Sequence, residues 1–325
     1  MSKKFLYYKA INWNEIEDEL DNATWERVTS LFWLDNRIPI ENDKPAFNRL
    51  SAEEKQELNR SLIFLANLST YQSLEAEEFI RHSERSQQEV AIVNNLQFTE
   101  MVNTKAYNTI LYSFNEAEQE AASLFEWVDQ HKLVVERLER VDTVYHSKNA
   151  IQKRFMATCV EGIMTYSQLA FLMKLWIQKG FTNLGEMVKM ILLNESLHCD
   201  YLIHKVNLLL ARMDRADQIS FQTWAVEMID RILETEGKII CELYVDADIQ
   251  KLARNLVQRE ANRLLESIGV EERYPVNREI LSTLDRVLNR LRKHELLGKM
   301  SIHRIEESRD DDYNFCGGFT CYIGH

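Results

Sequence analysis

The sequence predicts an all-α protein, a bundle of long helices whose functional groups face inward. Three observations carry this prediction. The 325 residues include only 9 Gly and 3 Pro, too few for a chain that often reverses direction, because tight turns draw on both. Apolar residues recur at helical spacing, as at Leu58, Leu62, Leu65 and Leu68,. No strand-like alternation, repeat or composition break interrupts residues 50–270.

Taken in order, residues 1–50 mix aromatics with acids, and Pro39 and Pro45 bracket an extended segment. Ser51-Ala52-Glu53-Glu54 then opens a helix, with serine at the cap and acids where the helix dipole favours them, and the pattern runs to about Phe79,. The charged stretch from Glu75 to Glu89 separates it from a helix over roughly 89–115. The next is expected from Glu116 towards His146, with Glu136, Arg137, Glu139 and Arg140 as a solvated face,. Two long helices follow, over 147–179 and 184–213, joined at Gly180-Phe181-Thr182-Asn183. Further helices are expected over 220–245, 247–268 and 279–291. Residues 1–292 read as one helical domain and 293–325 as a flexible tail, polar and acidic at Glu306-Glu307 and Asp310-Asp311-Asp312,.

A net charge of -12 leaves no basic surplus to neutralise a phosphate backbone, so nucleic acid is not the expected partner,. The five cysteines lack a zinc spacing and suit a reducing compartment,. The N-terminus lacks a signal-peptide core and no uncharged run is long enough to span a bilayer, so a cytoplasmic location is expected,.

The chemistry concentrates in Asn194-Glu195-Ser196-Leu197-His198. Glu195 and His198 stand three residues apart and share one helix face, where a carboxylate and an imidazole can converge on a metal ion,. Alone, the pair more often marks a helix whose inner face carries a satisfied polar contact. Two further inward polar groups change the balance. Glu100 and Asn103 repeat the spacing with an amide in place of the imidazole, and Glu161 sits in the apolar stretch Cys159-Val160-Glu161-Gly162-Ile163-Met164. A lone buried carboxylate is costly without a partner or a cation. Bundles that hold two metal ions use one carboxylate from each of two helices and Glu-x-x-His from each of the other two.

These residues resemble the small, radical-generating subunit of class I ribonucleotide reductase, most closely its class Ib branch. The resemblance spans nearly the whole chain. It includes Phe32-Trp33-Leu34, Ile38-Pro39-Ile40-Glu41-Asn42-Asp43, Asn103-Thr104-Lys105-Ala106-Tyr107, Asn262 with Leu265 and Gly269 before Tyr274-Pro275, Leu297-Gly298-Lys299, and Asp310-Asp311-Asp312-Tyr313-Asn314-Phe315. It implies a ferritin-like bundle with additional helices, in which Glu100, Glu161, Glu195 and His198 match metal ligands for iron or manganese. Tyr107 matches the tyrosine that stores a radical, and Trp25 the tryptophan on its exit route. The resemblance further implies a homodimer that docks a large subunit through the C-terminal tail, a flavoprotein activator, and reduction of ribonucleotides to deoxyribonucleotides.

The sequence departs from that pattern at four places. Gap-free matching from Trp33 to Glu100 puts Ser69 where the family has a metal-binding aspartate, and Asn103 stands for a histidine. Both losses fall on one metal position, so the expected site is asymmetric, with one well-formed position rather than two. Without a cation the three glutamates must share protons, and a metal-free state is also physically allowed. Asn194 replaces a relay aspartate and Glu295 a relay tyrosine, which weakens the radical route because an amide takes up no proton,. A catalytically silent partner subunit, or a mononuclear-metal oxidase on the same bundle, are the alternative readings.

Overall fold

A computed structural model describes residues 10–80, 85–115 and 118–294. Among them every regular element is helical. Asp18 caps α1 (Glu19–Ser30), which the sequence reading left unassigned although acids occupy its first turn. A 3-10 turn at Asp35–Arg37, another at Ile40–Asp43 and the single-turn α2 (Lys44–Phe47) lead to α3 (Ala52–Glu75). Ser51 and Glu54 form a reciprocal capping box there, satisfying two N-H groups that a helix start would otherwise leave open,. A 3-10 turn (Ala76–Phe79) closes α3, and α4 (Gln87–Phe114) starts at Ser86, whose side chain accepts from the Glu89 N-H.

The helix expected over 116–146 is two helices, α5 (Glu118–Asp129) and α6 (Lys132–Tyr145). The break falls at His131, whose backbone is extended at φ -72 and ψ 119. Its ring packs edge-on against Trp127 and Phe64, and its Nε2 meets Glu242 Oε1 at 2.6 Å. Burying that ring between neighbours outweighs one more turn of helix. The segment expected as one helix over 147–179 is α7 (Ala150–Cys159), a π-helical turn (Val160–Met164) and α8 (Thr165–Lys179). Gly180, at φ +78, ends α8 in the left-handed conformation that costs glycine least,.

Long helices complete the chain: α9 (Thr182–Leu210), α10 (Arg215–Leu243), α11 (Ala247–Ser267) and α12 (Arg278–His294). α3 packs along α4 and α8, α9 packs on α7 and α8 and touches α4, and α11 covers α8. The polar cluster therefore lies inside a four-helix arrangement of α3, α4, α7 to α8, and α9, as the ferritin-like expectation required. No helix among the described residues is long and apolar enough to cross a membrane. Residues 293–294 of the expected tail are still helical, as the end of α12, and the rest, with Glu295, lies outside the described residues.

Buried ion pairs pin the helices around the cluster. Arg154 Nε meets Glu89 Oε1 at 2.9 Å between α7 and α4. Lys205 on α9 holds both Asp18 (2.7 Å) and Asp21 (2.6 Å), anchoring α1. Removing one member of such a pair would strand the other charge in low dielectric, which makes the register of these helices hard to change.

Candidate metal centre

Four elements each bring polar groups to one buried point. On α3, Ser69 and Gln72 lie three residues apart on one face; on α4, Glu100, Asn103 and Tyr107 do the same at helical spacing,. The π turn carries Glu161, and α9 carries Asn194, Glu195 and His198. All are at most 4% exposed. The π turn matters locally, since its extra residue re-aims side chains relative to an uninterrupted helix. Thr165 Oγ1 donates to the Val160 carbonyl at 2.9 Å within the widened turn.

One ligand atom each from Glu100, Glu161, Glu195 and His198 lies within 4.8 Å of all the others. His198 Nδ1 faces Glu161 Oε2 at 3.2 Å. Asn103 Nδ2 donates to Glu100 Oε1 at 3.2 Å and to Glu195 Oε1 at 3.3 Å, so one amide bridges two carboxylates. Gln72 Nε2 donates to Glu161 Oε1 at 2.6 Å. Three acids in so small a dry volume cannot all be anions. Burial, with the charge of Glu161, pushes Glu100 well above the ordinary carboxylate range; burial, with the charges of Glu100 and Glu161, does the same to Glu195. Burial also opposes ionisation of Glu161, but hydrogen bonds with His198, Glu195 and Gln72 outweigh it and hold that carboxyl below its ordinary value. The surroundings thus favour the ionised form at Glu161 and the protonated form at Glu100 and Glu195.

Orphaned atoms test whether a cation fits. Glu195 Oε2 and His198 Nε2 are buried without a hydrogen-bond partner; an ion held beside Glu161 Oε2 and His198 Nδ1 would relieve the Glu195 oxygen, whereas the second imidazole nitrogen faces away from that point. Two hard oxygens and an imidazole from Glu161, Glu195 and His198, with Glu100 at the edge, suit one iron or manganese ion. The Ser69 and Asn103 side does not repeat this. It offers a hydroxyl and an amide whose N-H groups point at the carboxylates while its Oδ1 is buried without a partner; with neither a second imidazole nor a further carboxylate, that side is the poorer fit for a hard cation.

Tyr107 is 1% exposed and its hydroxyl lacks a hydrogen-bond partner. Burial, and then the charges of Glu195 and Glu100, push its ionisation well upward, and Ser69 partly offsets this. The structure therefore brings Tyr107, Ser69 and Asn103 to the four ligand candidates. Trp25 is different. It lies half-buried on α1 with its ring 5.3 Å from Trp13, and no hydrogen bond among the described residues joins it to Asn194, whose Nδ2 donates to the Met190 carbonyl. The buried tryptophan is Trp33, 6% exposed, with an indole N-H that has no partner. Sequence reasoning quoted Trp33 as a motif residue but gave it no role. It also missed Gln72, although a polar residue three positions after Ser69 shares its helix face.

The profile of the family described as ribonucleotide reductase, small chain, matches residues 10–280. The chain is 27% identical over 316 residues to the ribonucleoside-diphosphate reductase subunit beta nrdF2 of Mycobacterium tuberculosis, covering 94% of this chain and 96% of that one. It is 24% identical over 315 residues to the ribonucleoside-diphosphate reductase 2 subunit beta of Escherichia coli, covering 94% and 98%. Among solved structures, the dimanganese(II) NrdF of Streptococcus sanguinis superposes with a TM-score of 0.80 at 28% identity, covering 86% of this chain and all of that one.

Proposed function

The chain belongs to the ribonucleotide reductase small-chain family, and from that premise we propose that it works as the small subunit of a ribonucleoside-diphosphate reductase built around one metal ion rather than two. The observation that carries the one-ion reading is the Asn103 amide, which bridges Glu100 and Glu195 on the side where a second cation would have to sit. The S. sanguinis relative is described as a dimanganese protein; here Glu161, Glu195 and His198 are the residues that would hold an ion, with Glu100 next to them. When bound, iron or manganese supplies one-electron redox chemistry next to a phenol.

The chain's own residues do the rest. The Glu161 carboxylate and the His198 imidazole supply the hydrogen-bonded half of the binding set, and Glu195 would give up its proton on holding an ion, so uptake would release a proton to solvent. The apolar bundle excludes water from Tyr107, and Ser69 is the hydroxyl beside it. In this reading Tyr107 carries the radical and Trp33, rather than Trp25, lies on its route. Reduction of ribonucleotides to deoxyribonucleotides takes place on a large-subunit partner. We place the subunit in the cytoplasm, with residues 306–325 as the docking segment and a flavoprotein as activator. We assign contact with a second copy to the exposed apolar face of α4, where Phe98, Met101 and Tyr112 are 43–47% exposed and Phe32 stacks on Phe98.

One observation favours a second reading. The Trp33 indole N-H is unpartnered and the Asn194 amide is turned to its own helix, so the hydrogen-bonded route out of the site is disconnected. A catalytically silent partner subunit would look like this. Metal analysis of purified protein, with an electron paramagnetic resonance spectrum after exposure to oxygen or superoxide, separates the cases. One ion per chain with a tyrosyl signal supports the active reading, and one ion or none without a signal or turnover supports the silent one. Two ions per chain would overturn the asymmetric centre.

A further inference from the structure

Glu161 is held from outside the ligand cluster as well as within it. Gln72 donates to Glu161 Oε1 at 2.6 Å, and the other end of the same amide accepts from Tyr145 Oη at 2.7 Å. Gln72 and Glu161 are each 1% exposed and Tyr145 is fully buried, so the chain Tyr145 to Gln72 to Glu161 runs from α6 across α3 to the π turn without water. Burial and the charge of Glu161 push ionisation of Tyr145 far upward, which keeps this phenol a hydrogen donor. A donor on that side fixes the amide. Turned over, Gln72 would set its carbonyl against the Glu161 carboxylate and lose that bond, and Tyr145 could then only accept from the amide, leaving its own proton without this acceptor. The phenol has little freedom to follow, since its ring lies edge-on to Phe79 at 5.9 Å and beside Tyr71 at 6.2 Å.

We propose that Gln72 and Tyr145 are positioning residues of the metal centre: Tyr145 orients the Gln72 amide, and the amide occupies Glu161 Oε1 so that Oε2, beside His198 Nδ1, is the oxygen presented to the ion. This inference rests on the one-ion reading of the site. It adds a reason for the asymmetry that the lost ligands do not supply. A Glu161 tethered at Oε1 has one carboxylate oxygen already committed to α3, so the surviving position is fixed through α3 and α6.

Titration of the metal-free full-length chain with manganese(II), followed calorimetrically, tests this with Gln72→Leu, Tyr145→Phe and the double variant. Partners outside the ligand set typically matter at this level, so each single substitution should weaken binding about tenfold. Because Tyr145 acts through Gln72, the double variant should bind within about twofold of Gln72→Leu alone rather than showing the product of the two losses. The optical spectrum of the cobalt(II) form should shift in the same variants, which a purely structural role would not cause. Tyr145→Phe removes one oxygen and keeps the ring on Phe79 and Tyr71, so it remains informative if Gln72→Leu folds poorly. Manganese affinity within about threefold of the parent in Tyr145→Phe, or a double variant showing the product of the losses, overturns the proposal. A parent chain that takes up one ion but ignores these substitutions sinks the positioning role alone, whereas a parent that takes up none removes the metal centre and the positioning role with it.

Discussion

The two sides of the buried cluster are built from similar helices and have opposite chemistry. On the α9 and π-turn side, Glu161, Glu195 and His198 sit together with orphaned atoms at Glu195 Oε2 and His198 Nε2. On the α3 and α4 side, Ser69 and Asn103 stand where acid and imidazole would be, and the amide spends its N-H groups on Glu100 and Glu195. One side leaves a carboxylate oxygen open to a cation. The other ties its acids together through an amide donor, although the Asn103 Oδ1 is itself buried without a partner. In the one-ion reading proposed above, a neutral donor between two acids keeps them near each other where a second cation would otherwise have to.

The sharpest way to break this comparison is to remove one residue from each side. His198→Ala takes away the only imidazole of the cluster and should lower metal affinity by about 100-fold or more, whereas Asn103→Ala should change it by only about threefold. Equal losses in a manganese titration would mean that the two sides are not distinct. Rebuilding is the next largest effect. Ser69→Asp with Asn103→His restores a carboxylate and an imidazole to the weak side, and metal content by mass spectrometry should rise from one ion per chain to two. A second ion failing to appear in a folded double variant would show that more than those two side chains separates the sides.

Proton inventory sharpens the same contrast. Glu100 and Glu195 keep their protons in the folded, metal-free chain above their ordinary value of 4.5. Once the pH exceeds that value the unfolded chain has released these protons and the folded one has not. The folded state then binds more protons, so stability falls as pH rises, by about 1.4 kcal/mol per pH unit for each proton retained. The melting temperature of the metal-free protein should therefore decline between pH 5 and pH 8. In Glu100→Gln with Glu195→Gln, where nothing is left to titrate at these positions, the decline should be shallower. Identical slopes in the parent and this variant would contradict the two neutral acids.

How much of this was legible beforehand depends on how local each signal is. The long helices were, because Leu58, Leu62, Leu65 and Leu68 report the buried face of α3 directly and each is at most 1% exposed. The grouping of Glu100, Glu161, Glu195 and His198 was legible through the family resemblance, because the i, i+3 spacing of Glu195 and His198 alone says little about Glu100 and Glu161 on other elements. The break at His131 was not, since it depends on Glu242 and Phe64, which are far away in sequence. Gln72 was missed for the same reason: its role exists only through Glu161 and Tyr145, 89 and 73 residues away. Trp25 took its role from the family resemblance, and sequence alone does not reveal that Trp33 is the more buried indole.

The smallest expected effect probes the backbone that separates the two sides. Gly162 lies in the π turn next to Glu161, and a Cβ placed there would come within 2.8 Å of Cys199 Sγ on α9, next to His198. No equivalent constraint is seen on the α4 side, where Glu100 sits in an uninterrupted helix. Gly162→Ala should cost roughly 1–3 kcal/mol, the usual range for overpacking a dense core, and it should weaken metal binding because the strain falls between two ligands. Trimming the opposing sulfur tests whether the clash is the cause. Cys199→Ala opens a small void in the parent background, yet in the Gly162→Ala background it makes room for the new methyl, so the two substitutions together should cost less than their sum. Chemical denaturation of the four proteins measures this coupling. A strictly additive result would mean that the turn tolerates a side chain at position 162 by some other movement, and that the π turn does not hold Glu161 by close packing against α9.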